Sequence, residues 1–546
     1  MRKIIAALVG GVVLMGPLSS LSAADLPGEQ FIVGAPSDGV ASAGVVIDDS
    51  QKIKGNFATL QSFTSENSRR NDVPTSVTNC TSYGSGNCST QRFFNYQAFM
   101  SNCESSASHD CVLSVGATSA DGTTHKAIFV EDFPGKTEFS YKGSAEANLP
   151  DGGSSFIVDI PTLPHSQGSL YLVSVNIAGF KEFGESQFKS NSFAAGIFAV
   201  TMTNGRYQPS HPSTELAYFN RVGMVSNQRT PSDLDNGGFA RCVQATATRC
   251  ALAWPLPTDV TFSLKLKLRT KIQGWLHGRL GDVSASIATS TDGDQLITVS
   301  GKPLIVPIVY QWFHLDSLPT SISKFYNGDK EFMKQGTLFS TEANNANASI
   351  LKDYIRYEER DFPEAMAWYD AIGDRANAVA TAWTIRSIED GNLPASCGKA
   401  TNQLSGIVTT NSNMFIAEPP KFNRVDQTLD YKVASPHYLP DGTIFKGTYN
   451  LVMRSDYARC IYNYSSAPVS ASVSVLSLNG TSQIATSTLY EKSGWLYLSA
   501  NNFTFSSPTL KVKLTQKVKT QLISCTNGSK VIKSSSSVCP KGYRKK

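Results

Sequence analysis

The chain has 546 residues with 41% hydrophobic and 17% charged side chains. That is enough apolar material for several cores, and at roughly 150 residues per domain it implies three or four of them, while excluding a disordered or fibrous chain. The formal charge of +5 comes from 49 Lys and Arg against 44 Asp and Glu. Residues 511–546 hold ten of those cations and no acid, so the remainder is acidic by five charges (39 − 44). This is the profile of a mildly acidic body with a basic end; on an exported chain such an end points to an anionic surface as partner, with no nucleic acid expected, and the alternative is a solvated tail that aids solubility.

The first 24 residues read as an export signal. Arg2 and Lys3 form a charged start, Ile4–Met15 an apolar stretch too short to span a bilayer, and Ser22-Ala23-Ala24 a small-residue cleavage site before Asp25. The ten cysteines all follow this segment. Cys80/Cys88, Cys103/Cys111 and Cys242/Cys250 are each eight apart, and Cys397/Cys460 and Cys525/Cys539 complete the set. No CxxC occurs, so the simple reading is five disulfides formed in an oxidising compartment. By loop entropy each eight-residue closure is worth about 2.5 kcal/mol and the Cys397–Cys460 closure about 4 kcal/mol. For the first four cysteines the pairing Cys80–Cys111 with Cys88–Cys103 stays open.

Residues 25–318 read as one or more β-rich domains stapled by disulfides. "GSLYLVSVNIAG" and "FAAGIFAVTMTNG" are the clearest strands, and "TSADGTTH" reads as a hairpin turn. "TFSLKLKLRT" alternates, with Phe262, Leu264, Leu266 and Leu268 on one face and Lys265, Lys267 and Arg269 on the other. "DVSASIATS" and "DQLITVSGKPLIVPIV" follow as a hairpin about "TDGD".

Between them lies "GWLHGRLGD", which also reads as a strand, with Trp275, His277 and Arg279 on one face and Leu276 and Leu280 on the other. It admits three readings. Trp275 is packing beneath a cover, with His277 and Arg279 hydrogen-bonded below it. Alternatively, if this strand neighbours "TFSLKLKLRT", Trp275, His277 and Arg279 join Lys265, Lys267 and Arg269 in a cationic face with an aromatic plate, suited to an anionic glycan. In the third, His277 is a general base oriented by Asp282.

Residues 319–390 show helical spacing, with helices expected at 346–359, 363–372 and 374–389, Pro363 in a first turn and Gly391 beyond a last one. The acids Asp353, Glu358, Glu359 and Asp361 alternate with Lys352, Arg356 and Arg360, the pattern of a solvated helix face. Residues 391–515 return to about seven evenly spaced strands, including "RCIYNYS", and predict an immunoglobulin-like sandwich. Residues 516–546 form a basic, cysteine-containing tail.

Catalytic motifs are absent from the letters. There is no GxSxG, HExxH, P-loop or GxGxxG, and the seven histidines show no metal-ligand spacing, so neither metal nor cofactor is expected. "SISK" and "SCGK" match SxxK without the accompanying elements.

The ending "ISCTNGSKVIKSSSSVCPKGYRKK" resembles C-terminal segments of secreted actinobacterial proteins, in which two cysteines bracket a basic stretch before a CPxGYKKK-like end. Cys525 and Cys539 match the brackets, and Lys541, Arg544, Lys545 and Lys546 match the basic end. The resemblance implies a secreted or wall-associated protein and carries over no catalytic residue. The expectation is a mainly-β, multidomain protein of antiparallel sandwiches with a helical insertion. Its tail would attach to an anionic wall polymer, and an extracellular carbohydrate-active hydrolase is the alternative.

Overall fold

The computed structural model describes residues 40–48, 57–63, 77–84, 86–88, 93–105, 107–137, 139–209, 232–233, 242–328, 339–340, 350–353, 359, 361–388, 397, 404–464, 470–476, 482–505, 509–515, 523–534 and 538–546. The expected export signal lies outside them. The protein is mainly β, and all five expected disulfides are formed: Cys80–Cys88, Cys103–Cys111, Cys242–Cys250, Cys397–Cys460 and Cys525–Cys539.

One sheet runs through both halves of the chain. Its hydrogen-bonded order is Val77–Asn79, Thr59–Phe63, Phe93–Phe99, Leu170–Lys181, Lys189–Asn204, Ala378–Ile388, Gly274–Gly278, Leu404–Thr410, Lys446–Arg454, Trp495–Thr504 and Ser482–Lys492. Every pairing is antiparallel except Gly274–Gly278 with Leu404–Thr410, which is parallel. The boundary expected near residue 390 is therefore crossed by main-chain hydrogen bonds.

Two smaller sheets cover this one. Toward the N-terminal half, Thr124–Lys126, Cys111–Thr118, Thr261–Leu268, Gln295–His314 and Leu280–Thr289 are laid side by side. The alternation in "TFSLKLKLRT" directs Phe262, Leu264, Leu266 and Leu268 into the shared core, where Phe262 meets Tyr171 with ring centroids 5.5 Å apart. The two hairpin turns form where the sequence places them, with Gly122 and Gly293 supplying positive φ. Toward the C-terminal half, Lys421–Asn423, Thr428–Ala434, Thr509–Thr515, Ser470–Leu476 and Ser482–Lys492 form the second layer of a sandwich. Its core holds Tyr431, Val433, Leu451, Leu498 and Val512.

Among the described residues of 319–390 there is less helix than the spacing predicts. The described helices are α1 (Thr320–Phe325), α2 (Asp361–Ala371) and α3 (Ser455–Tyr462). Only α2 matches an expected helix. It ends where Gly373 and Asp374 take left-handed φ and the Asp374 amide closes back on the Tyr369 carbonyl at 2.7 Å. Of the helix expected at 346–359, residues 350–353 form a strand parallel to Ser42–Ile47, while 346–349 and 354–358 lie outside the described residues. The third expected helix is the strand Ala378–Ile388, in which Ala378, Ala380 and Ala382 are buried and Val379 and Thr381 are not fully so. Alanine favours helix in isolation, but here three flanking strands need small inward side chains, and tertiary packing overrides propensity. In the other direction, "RCIYNYS" is not a strand; most of it belongs to α3, which Asn463 ends at φ +55°. No described helix is long and apolar enough to cross a membrane.

Close packing at the parallel pair makes Gly406 indispensable. A Cβ on it would lie 2.3 Å from the Trp275 ring. Replacing Gly406 with Ala is expected to cost about 1–3 kcal/mol of stability, the usual penalty of overpacking a dense core. A urea-unfolding midpoint unchanged by Gly406→Ala would refute this contact.

Candidate functional site

The strand Gly274–Gly278 sits inside the long sheet with layers on both sides. Leu276 faces one core and Trp275 the other. The division of faces expected from alternation is correct, but neither face meets solvent. Trp275, His277 and Arg279 are each 1% exposed. Nor is "TFSLKLKLRT" a neighbour of this strand; it pairs with Cys111–Thr118 and Gln295–Gly301 instead.

The six residues of the expected cationic face are thereby dispersed. Trp275 packs edge-on to Tyr457 at 5.8 Å. His277 stacks on Phe415 with centroids 3.4 Å apart and planes 7° from parallel. Arg279 donates to the Thr410 carbonyl at 2.9 Å and to the Ser412 carbonyl, while its guanidinium lies 4.9 Å from the Phe415 centroid. Lys267 is buried beside Asp292 (2.9 Å) and Asp294 (3.7 Å), and Arg269 reaches Asp110 at 3.3 Å. Of the six, Lys265 alone is exposed. The face that the glycan reading required is the inside of the molecule, covered by the 410–415 segment and α3, and the strand follows the first reading, packing beneath a cover with Arg279 hydrogen-bonded there.

His277 is equally unavailable as a general base. Burial, followed by the nearby Arg279 and Arg386 charges, holds its pKa well below the usual histidine range, so it is neutral. Asp282 pairs with Lys302 at 2.9 Å instead of orienting the imidazole. The Ser321 of "SISK" donates to the Ala367 carbonyl at 2.9 Å, tying α1 to α2. A Ser–His contact that the letters do not reveal is Ser119 with His125, at 2.6 Å. The other ring nitrogen of His125 meets the Thr162 hydroxyl at 2.9 Å, so the carboxylate that would stabilise an imidazolium is not in that place. This contact pins the hairpin.

Two places concentrate exposed or under-satisfied cationic groups. One is a cavity of about 400 Å³ where the end of the Leu280–Thr289 hairpin meets α3 and the Ser493–Trp495 turn. Lys271, Arg454 and Arg459 line it, with Asp456 on the same wall. The other is the C-terminal module. Ile523–Asn527 pairs with Lys530–Ser534 on one side and Arg544–Lys545 on the other. Cys525 is buried and bonded to Cys539, and Asn527-Gly528 makes the turn. Lys530, Lys533, Lys541, Arg544, Lys545 and Lys546 are all exposed, and no Asp or Glu occurs in residues 523–546.

No protein-family model and no curated protein matches the chain.

The neutral state of His277 makes a pH prediction. Its folded pKa is depressed, so the unfolded chain takes up a proton below about pH 6.5 that the native chain refuses. Stability is then full above that pH and falls as pH drops, by up to about 1.4 kcal/mol per unit for this residue. The variant His277→Phe, whichever way it shifts stability at pH 8, is expected to lose this share of the slope between pH 6.5 and 5 in urea unfolding. Equal slopes for the two proteins would contradict it.

Proposed function

We propose that the chain is an extracellular binding protein held to an anionic polymer of the cell envelope by its C-terminal module. The observation that carries this reading is the charge distribution: six exposed cations and no acidic side chain on a 24-residue, disulfide-closed sheet, attached to a remainder in which 43 Lys and Arg stand against 44 Asp and Glu. A folded basic surface suits a polyanion better than a floppy tail does. The strands hold Arg544 and Lys545 at fixed spacing against Thr526 and Cys525, so less conformational entropy is lost on binding. The recognised chemistry is a repeated phosphate or carboxylate, met by charge-assisted hydrogen bonds from lysine and arginine. Five disulfides are compatible with an extracellular setting. On this reading the body is the part displayed and the module is the part that attaches.

The test is a sedimentation assay of the purified protein on isolated cell walls across a salt series. Exposed charges are screened within about 8 Å at physiological ionic strength, so binding is expected to weaken steeply with salt. The fourfold variant Lys541→Gln, Arg544→Gln, Lys545→Gln, Lys546→Gln is expected to bind at least about tenfold more weakly and with a shallower salt dependence. Binding that ignores both salt and these substitutions would refute attachment through the module.

A further inference from the structure

We infer that the cavity beside α3 is a second binding site, independent of the C-terminal module, for a small ligand bearing a phosphate or carboxylate group. Its volume of about 400 Å³ falls within the range of small-molecule sites, roughly 300–1,000 Å³. Its polar wall is cationic. Lys271 is exposed and has no carboxylate partner among the described residues, while Arg454 and Arg459 are held in place by Asp456 and by Glu491, the latter at 2.8 Å. The Asp456 carboxylate, the one acid on the wall, is already engaged by the Arg454 guanidinium and by the Tyr457 amide at 2.8 Å.

Two polar atoms in this wall are buried and lack a partner. One is the Ser455 hydroxyl, on a residue only 4% exposed; the other is the Arg459 Nε. Neither atom is open to a water-sized sphere, so a ligand oxygen reaches them only by rotation of the Ser455 hydroxyl or the Arg459 guanidinium toward the cavity, which would recover the free energy an unpaired buried hydroxyl or N–H costs. Both belong to α3, whose Cys460 is bonded to Cys397, and the Ser455 amide is fixed to the Gly494 carbonyl at 2.9 Å. The helix that carries them is therefore fixed in place. Ile287 and Trp495 add apolar residues to the lining for the uncharged part of the ligand. The cavity draws one wall from each half of the chain, so it exists only because the long sheet holds those halves together.

Isothermal titration of the full-length protein at low ionic strength tests this, with inorganic phosphate and glucuronate as separate probes. At least one probe is expected to bind saturably at millimolar concentration. Lys271→Gln is expected to weaken that probe about tenfold and Ser455→Ala about threefold, as the loss of one charged and one neutral hydrogen bond would. Lys265→Gln, which removes an exposed lysine elsewhere, is expected to leave it unchanged. Both cavity substitutions are small and remove no partner from another side chain, so folding is retained. Loss confined to phosphate or to glucuronate assigns the acid group. Failure of both probes to saturate, or affinities equal in the unaltered protein, Lys271→Gln and Ser455→Ala, would overturn the inference. Because the module is intact in every protein compared, its own affinity for anions cancels from the comparison.

Discussion

The architecture depends on one buried strand. Gly274–Gly278 hydrogen-bonds to Ala378–Ile388 on one edge and Leu404–Thr410 on the other, and through them the strands of the N-terminal half continue into those of the C-terminal half. A strand in that position must be apolar or have every polar group satisfied, because an unpaired buried charge is prohibitively costly. Arg279, just beyond the strand, meets the requirement by donating to the carbonyls of Thr410 and Ser412 and lying over Phe415. His277 meets it by remaining neutral against the same ring. The 410–415 segment is thereby fixed over the seam, and the parallel pairing is locked in register.

That arrangement explains why the most conspicuous motif in the sequence is misleading. Histidine, arginine and tryptophan on one face of a strand look like a site because exposed examples often are one. Alternation reports which side chains share a face, and it did so correctly for Trp275, His277 and Arg279. It does not report what lies above that face. The cover here comes from residues more than 130 positions later, such as Thr410 and Phe415. Period-two strands, Gly-containing hairpin turns and the short cysteine spacings were legible because their causes are local. The Ala-rich strand at 378–388 and the helix at 455–462 were not, because each takes its form from distant neighbours. The cavity at α3 was equally hidden, since its walls are nearly 200 residues apart in the chain, as with Lys271 and Arg459.

With Trp275, His277 and Arg279 committed to the interior, the available cations lie at the periphery, in the C-terminal module and around α3. Two anion sites on one chain would act together on a polymer carrying many acidic groups, since attachment at one raises the effective concentration at the other.

Native-state hydrogen exchange followed by mass spectrometry addresses the seam most directly. If the two halves form one cooperative unit, amides of 274–278 and 404–410 exchange as slowly as those of the long strands Leu170–Lys181 and Lys189–Asn204, near the limit set by global unfolding. Exchange at the seam orders of magnitude faster than in both flanking regions would mean that the halves open about it, and would contradict the account of one continuous sheet unfolding as a unit.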